Sequence, residues 1–212
     1  MLAYMGFNVI KGDAGNNTLT GISGDDAIEA GAGNDALTGN GGADLLDGGS
    51  GVDGLYGGNG NDYLSGDAGD DTLDGGAGND SLYGGAGSDT YLFGRGSGAD
   101  TVNDYDTTVG NTDAMSFGSA ITTDQLWFRH VGSSLEVSVI GTSDKMTISN
   151  WYSGNAYHIE QFKTTDGKQL LDTQVENLVS AMAAFSPPAA GQTTLPQNYQ
   201  DTLAPVITAN WQ

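Results

Sequence analysis

GGSGVDGLY at residues 48–56 and GGNGNDYLS at 57–65 are two copies of a nine-residue phrase that repeats without a gap from Gly12 to Leu92. The other copies are GDAGNNTLT (12–20), GISGDDAIE (21–29), AGAGNDALT (30–38), GNGGADLLD (39–47), GDAGDDTLD (66–74), GGAGNDSLY (75–83) and GGAGSDTYL (84–92). The consensus is G-G-x-G-x-D, then a small residue, Leu or Ile, and any residue. A short fixed period of this kind predicts a solenoid whose units cannot fold singly.

Position eight of the repeat is apolar in every copy and predicts where the core lies. One inward residue between two outward ones indicates a three-residue strand, and we expect the six preceding residues to form a tight turn. Glycine at positions one, two and four supplies positive φ and lets neighbouring backbones stack closely. Two repeats then make one coil of strand, turn, strand and turn. The apolar residues are Leu19, Ile28, Leu37, Leu46, Leu55, Leu64, Leu73, Leu82 and Tyr91.

Position six is acidic in every copy except the first, which has Asn17. Alternate copies stack on the same edge of such a solenoid, so the carboxylates form two columns with neighbours about 5 Å apart. Two like charges at that distance repel by roughly 3 kcal/mol at an effective dielectric of about 20. The columns therefore need cations, and the hard cation that accepts many oxygens, backbone carbonyls included, is calcium. One column contains Asp35, Asp53, Asp71 and Asp89, and the other contains Asp26, Asp44, Asp62 and Asp80.

Two other interpretations of the repeat remain. Gly, Asn and Asp are ordinary turn formers, which explains one copy but not nine in register. A disordered linker rich in Gly and Asp is the second, and the regular aliphatic residue at position eight argues against it.

The composition narrows the class of protein. The 212 residues carry a formal charge of −21, and Lys11 and Arg95 are the basic residues of the first hundred. This acidity excludes nucleic-acid binding by charge and disfavours anionic membranes. There is no cysteine, and no apolar run of about 18 residues that would span a bilayer. The first residues show no export signal, and the abrupt start suggests that a larger amino-terminal cargo region precedes this segment.

The sequences on either side of the repeat array indicate how its two ends are covered. Residues 3–11 fit the frame weakly, as a degenerate capping repeat, and Asp100 or Asp104 could close the last metal site. Longer strands are expected at 114–117, 126–131, 135–140, 145–151 and 157–164. They would continue the sheets and cover the open end of the roll, with Trp127, Trp151 and Phe162 in the core.

A helix is predicted to follow these strands. Thr173–Glu176 has the pattern of a capping box, and Val175, Leu178, Val179 and Met182 form an apolar stripe. Pro187 and Pro188 would stop this helix. Residues 188–212 are expected to form a loose tail or one short helix around 202–210. The chain is thus divided into a roll (1–105), a β-rich cap (106–171) and a helix with a tail (172–212).

These residues carry a family resemblance. The array, together with TISNWY, YHIEQFKTTDG, TQVENLVSAMAAF and LAPVITANWQ near the end, resembles the repeats-in-toxin (RTX) haemolysin-type calcium-binding proteins of bacteria. The resemblance implies an all-β, right-handed parallel β-roll, export by a type I machinery through an uncleaved carboxy-terminal signal, and folding outside the cell.

The same resemblance implies a ligand set. Calcium ions, about seven in all, would lie between successive same-side turns, held by the position-six Asp residues, Asn17 and Asp100. Carbonyls at positions two and four would complete the shells, those of Gly31, Gly33, Gly49, Gly51, Gly58, Gly60, Gly76 and Gly78. Asn17, Ala30 and the second-position residues Asp13, Ile22, Asn40 and Asp67 depart from the consensus. They weaken the expectation for the first sites more than for the middle ones.

No motif for catalysis is present. His130 and His158 belong to no H-E-x-x-H sequence, and no G-x-S-x-G occurs. Three functions remain open. The first is a calcium-triggered folding module that supports type I secretion of an extracellular protein. The second is an adhesin or carbohydrate-binding module that uses a face with Leu45, Tyr63 and Tyr83. The third is ice binding, which the irregular outward residues disfavour.

Overall fold

Successive repeats enter two facing sheets alternately. The computed structural model describes residues 6–212 and is a β-solenoid of about five turns with two helices near the carboxy terminus. Residues 3–5 of the degenerate first repeat lie outside the described residues. The repeat strands are β1 (Asn8–Lys11), β2 (Thr18–Thr20), β3 (Asp26–Ala32), β4 (Ala36–Gly41), β5 (Leu45–Ser50), β6 (Gly54–Asn59), β7 (Tyr63–Ala68), β8 (Thr72–Ala77), β9 (Ser81–Ala86), β10 (Thr90–Phe93) and β11 (Ala99–Val102).

The remaining strands extend both sheets beyond the repeats. They are β12 (Ala114–Phe117), β13 (Leu126–Val131), β14 (Ser134–Val139), β15 (Lys145–Ile148), β16 (Gln161–Lys163) and β17 (Gln169–Leu171). One sheet has the order β1-β3-β5-β7-β9-β11-β15-β14-β13, and the other β17-β16-β12-β10-β8-β6-β4-β2. Pairing is parallel through the repeats and antiparallel between β13, β14 and β15 and between β16 and β17. The predicted continuation of the sheets past the repeats is therefore confirmed.

The repeat strands are longer than the three residues predicted. β5 and β6 each have six residues, which run from position seven of one repeat to position three of the next. Two residues of each strand point inward, as Leu46 at position eight and Gly48 at position one do in β5. The prediction that glycine at position one lies in the turn with positive φ is wrong: Gly48 lies inside β5, and no position-one glycine from Gly12 to Gly84 has positive φ. Here it continues the inward row where a side chain would have no room.

From the third copy onward, glycines at positions two and four have the positive φ that the repeat predicts, whereas Gly15 and Gly24 at position four of the first two copies do not. Gly49 has φ 92° and Gly51 has φ 136°. Asn40 and Asp67 fill position two with φ 76° and 71°, a conformation that Asn and Asp tolerate better than other residues. Ile22 does not adopt it, and β2, just before it, ends after three residues at Thr20. The first coil is therefore less regular than the middle ones.

The core of the roll is a narrow row of aliphatic side chains that broadens into an aromatic cluster. From Ile28 to Tyr91 every position-eight residue is at most 1% exposed, whereas Leu19 in the first coil is partly exposed. Beyond the roll, Phe117 lies near Phe93, Phe162 and Trp211 with ring centroids 6.4 to 6.5 Å apart. Trp127, Trp151 and Phe162 are buried, as predicted.

The cap differs from its prediction in three places. The strand expected at 157–164 shortens to β16, because Asn155–Tyr157 forms a 3₁₀ turn before it. Trp151 lies in a second 3₁₀ turn, Trp151–Ser153, rather than in β15. β17 was not predicted; it pairs antiparallel with β16.

Two helices close the structure, α1 (Asp172–Met182) and α2 (Gln197–Asn210). The apolar stripe of α1 is buried as predicted. The Thr173–Glu176 capping box is wrong: α1 begins earlier, and the Gln174 side chain accepts the Leu171 backbone N–H. α2 is longer than the predicted 202–210 and packs Leu203 and Ile207 inward. Neither helix is long and apolar enough to cross a membrane.

Candidate metal-binding columns

The fold brings the position-six residues into two columns, one on each edge of the roll. Within a column, each backbone N–H donates to Oδ1 of the aspartate one coil later, as Asp44 N does to Asp62 at 2.8 Å and Asp53 N to Asp71 at 2.8 Å. The Asp26 column consists of Asn8, Asp26, Asp44, Asp62, Asp80 and Asp100. The Asp35 column consists of Asn17, Asp35, Asp53, Asp71, Asp89 and Asp113.

The ends of the columns contain residues that the period alone does not identify. Asn8 donates its amide to Asp26 at 2.6 Å. Asp113 accepts the N–H of Asp89 at 2.7 Å although 24 residues separate them. The signal for Asp113 was its place just before the apolar run of β12, which is where position six stands in a repeat. Asp100 ends the Asp26 column by accepting from Asp80 at 3.0 Å.

One oxygen of each interior carboxylate lacks a hydrogen-bond partner. The position-six aspartates are at most 4% exposed, yet Oδ2 has no partner in Asp35, Asp44, Asp53, Asp62, Asp71, Asp80 and Asp89. Buried polar atoms are nearly always paired, and an unpaired one costs about 1–3 kcal/mol. Seven such atoms in two rows are what a chain of cation sites requires.

Glycine at position one makes room for these oxygens. A Cβ built on Gly57 would overlap Asp62 Oδ2 and would lie 2.6 Å from the carbonyl oxygen of Gly75. The same pair of oxygens surrounds Gly39, where they belong to Asp44 and Gly57. Carboxylate and carbonyl oxygens thus converge on one small space, and both are acceptors. Such a set of oxygen ligands fits a hard cation.

The predicted carbonyl ligands at positions two and four differ in whether they already accept a hydrogen bond. Within residues 6–212, the position-four carbonyls of Gly33, Gly51 and Gly60 accept no backbone hydrogen bond outside the regular ladders, and these glycines lie outside the strands. Gly78, the fourth carbonyl predicted at this position, differs: it accepts the Ala99 N–H at 3.2 Å, and Gly78 forms a bridge with Gly98. Position-two residues lie inside the ladders, where Gly58 pairs with Gly76. The position-four carbonyls are therefore the more available of the two predicted sets. In the same range no three Asp, Glu or His side chains stand in ready metal-binding geometry, so side chains alone do not form a shell.

Burial makes the ionised form of the column carboxylates unfavourable when no counter-ion is bound. It raises the pKa of Asp44, Asp62 and Asp71 to about 6, with neighbouring carboxylates adding to the effect. Burial, and then the adjacent acids, raise the pKa of Asp89 and Asp100 to about 7. In each case a hydrogen bond from the neighbouring backbone N–H lowers the pKa and offsets only part of the rise.

Family models match both parts of the chain. The RTX calcium-binding nonapeptide repeat matches residues 4–36, 20–55, 56–91 and 65–102. The haemolysin-type calcium binding protein related domain matches residues 135–174. This chain belongs to the RTX haemolysin-type calcium-binding proteins. Its repeats are thus calcium-binding repeats, and neither model describes a catalytic domain.

Among solved structures, the RTX chain is similar to the extracellular lipase LipA from Serratia marcescens, with 18% identity and a TM-score of 0.30. The match covers 66% of this chain and 37% of the lipase chain. The chain therefore spans little more than a third of the solved protein it matches.

The two histidines have structural surroundings. His158 stacks on Trp151 with centroids 4.0 Å apart, and its ring nitrogens contact Asp172 at 3.1 Å and the Trp151 carbonyl at 3.0 Å. His130 stacks on Tyr152 at 3.6 Å. Both lie in the cap, away from the columns.

Proposed function

We propose that this chain is a calcium-triggered folding module of a larger extracellular protein. In it, each interior position-six aspartate holds two calcium ions, and position-four and position-two carbonyls complete the shells. The observation that carries the proposal is the set of seven buried Oδ2 atoms without hydrogen-bond partners, which stand in two rows. A calcium ion between two stacked turns satisfies these oxygens and cancels the repulsion along the column.

The energies are sufficient to decide whether the roll folds. For extracellular modules with a dissociation constant near 0.1 mM, about 1 mM calcium stabilises by roughly 1.4 kcal/mol per site. About seven sites contribute roughly 10 kcal/mol, which equals the whole stability of an ordinary domain. Low cytosolic calcium would leave the roll unfolded, and extracellular calcium would fold it.

Calcium titration of the whole chain tests this proposal. We expect circular dichroism to show little β-structure in excess chelator and a cooperative gain of β-structure as calcium rises towards millimolar concentration. Magnesium is the control, because it demands octahedral geometry and gives up its water reluctantly. A fully formed β spectrum in chelator would falsify calcium-triggered folding.

We further propose that the carboxy-terminal segment directs type I export. An exporter with a narrow conduit needs an unfolded chain, and repeats that fold on calcium outside cannot slide back. Helix α1 has its own apolar stripe and so has a local reason to form without calcium. Deleting residues 173–212 should abolish secretion from a host with a type I exporter while synthesis continues. Undiminished secretion would instead make this segment part of the structural cap.

A carbohydrate-binding face is a second candidate, favoured by one observation. Tyr63 and Tyr83 lie with ring centroids 4.8 Å apart, and Tyr63 borders a shallow hollow of about 370 Å³ that Leu45, Asp47 and Asp67 also line. Aromatic rings beside carboxylates can stack on a sugar and accept from its hydroxyls. A glycan array probed with the calcium-loaded chain and with Tyr63→Ala tests it: binding lost in the variant supports this face, and no binding by either chain rejects it.

A further inference from the structure

The last coil departs from the repeat at two buried positions, and the two departures lie together. Val102 of β11 pairs with Leu82 of β9, so Asp104 stands one coil beyond Gly84, at position one. Tyr91 occupies position eight, where the earlier copies have Leu or Ile. The Tyr91 hydroxyl accepts the Gly84 N–H at 2.9 Å.

Asp104 is buried without a partner for either oxygen. It is 2% exposed, and neither Oδ1 nor Oδ2 has a hydrogen-bond partner. Filling the core at this position does not require a carboxylate. On the opposite sheet the same departure from glycine is made by Phe93, which stands one coil beyond Gly75 and packs against Phe117. An apolar residue occupies this place on one sheet, whereas a carboxyl group without a hydrogen-bond partner occupies it on the other.

The side chain of Asp104 is directed at the end of the Asp35 column. At Gly84, one coil earlier, a Cβ would overlap Asp89 Oδ2 and the Tyr91 hydroxyl. Asp104 carries a side chain in the equivalent position one coil later, where Asp113 takes the place of Asp89. The acidic groups that act on it electrostatically are Asp113 and, more weakly, Asp89, both of them buried.

We propose that Asp89, Asp104 and Asp113 form an additional calcium site at the seam between roll and cap, one that the nine-residue motif does not encode. Each repeat site draws its side-chain charge from two aspartates, whereas this one has three. The three carboxylates do not yet converge on one point, and a cation that offsets their repulsion draws them together. The inference rests on the proposed function, since it adds one site to a calcium-loaded roll.

A third charge should make the seam site the first to load. Calcium affinity rises with the number of charged ligands and the rigidity of the site, and this site is held by the cap on one side. Its ion joins Asp89 of the last repeat to Asp113, which directly precedes β12. Folding of the roll then starts from the cap end and proceeds towards the first coil.

The test is a calorimetric calcium titration of the whole chain and of Asp104→Asn. Asparagine keeps the size and removes the charge. We expect the variant to lose one tightly bound ion, or to bind the first ion about tenfold more weakly, while it still folds in saturating calcium. Asp124→Asn, an exposed aspartate of the cap, is the matched control and should titrate as the unaltered chain does.

The outcomes separate this inference from the proposed function. If the chain binds calcium and Asp104→Asn has the same first ion and the same stoichiometry, Asp104 is a protonated acid beside Asp113, and the seam site is wrong while the repeat sites stand. If the unaltered chain binds no calcium, the proposed function itself fails. Should Asp104→Asn not fold, Asp104→Glu is compared with Asp104→Gln, which match in size and differ in charge; equal titrations of that pair overturn the seam site.

Discussion

The roll and the cap bury acidic side chains in opposite ways. In the cap, Glu136 is buried and pairs with Arg129 at 2.7 Å and Lys145 at 3.1 Å. In the roll, Asp62 is also buried, accepts the backbone N–H of Asp44 and leaves its second oxygen without a partner. The cap supplies its own counter-charges, whereas the roll leaves oxygens for ions from solution. One continuous pair of sheets thus pairs its buried acid with basic side chains at one end and leaves buried acidic oxygens without partners at the other.

The roll and the cap also differ in the size of the side chains that form their hydrophobic cores. A strand in the middle of the roll buries one large aliphatic side chain followed by a position-one glycine, as β7 does with Leu64 and Gly66. The cap packs Phe117, Phe128, Phe162 and Trp211 around one another and against α1 and α2. Aromatic residues bury far more surface each than a leucine does. We therefore expect the stability of the cap to depend less on metal than that of the roll.

Removal of calcium should produce the largest contrast between the two regions. We expect the protection of roll amides such as Gly54, Tyr63 and Thr72 from hydrogen exchange to fall by about a thousandfold or more, equivalent to roughly 4 kcal/mol. Protection at Phe128 and Val137 in the cap should fall much less. Hydrogen exchange of the two regions, measured by mass spectrometry of peptides with and without chelator, tests this difference in protection. Equal loss in both regions would show that they fold as one unit.

Removal of the cap should have the next largest effect. A chain that ends at Tyr105 exposes β10 and β11, which otherwise pair with β12 and β15, and a solenoid needs its ends covered. We expect this truncated chain to bind calcium weakly, or only at a much higher concentration. If circular dichroism shows it folding at the same calcium level as the whole chain, the capping role is wrong.

Single mid-column substitutions should have a moderate effect confined to the ligand position. Asp53→Asn and Asp62→Asn keep the Oδ1 acceptor and remove charge from two adjacent sites, so the calcium midpoint should rise about tenfold, equivalent to roughly 1.4 kcal/mol. Asp13→Asn and Asp74→Asn lie at positions two and nine and should change it little. Four equal midpoints from calcium titrations would contradict the assignment of position six.

The pH dependence should be the smallest effect, and its sign is distinctive. Because burial raises the pKa of Asp44, Asp62 and Asp71 to about 6, the folded roll binds more protons than the unfolded chain between about pH 4 and 6. Without calcium, stability should therefore be greatest near pH 4 and fall as pH rises through about 6 to 7.

Circular dichroism of the calcium-free chain across this range measures the effect as β-structure that is gained towards pH 4 and lost towards pH 7. With calcium, protons compete for the same oxygens, so the calcium midpoint should rise as pH falls below about 6. Calcium-free β-structure that increases with pH would contradict the burial of charged columns.

Much of the roll could be predicted from its period. Alternation of repeats between two sheets, the inward row at position eight and the two aspartate columns all follow from a nine-residue repeat folded two per coil. The inward glycine of position one was missed, because its role depends on the aspartate that turns back over it, as Asp62 does over Gly57. The division at residues 105 and 171 stays a prediction, and both sheets run across the first of these boundaries.

The nine-residue period specifies which residues stack, because identical positions meet at every coil and one copy specifies all of them. The arrangement beyond the last repeat depends instead on contacts between distant parts of the chain. Asp113 joins the Asp35 column across 24 residues, and Asp104 comes to lie beside it. α2 extends to Asn210 because Leu203 and Ile207 find a core to pack against. Such contacts join residues distant in the chain, and no local period encodes them.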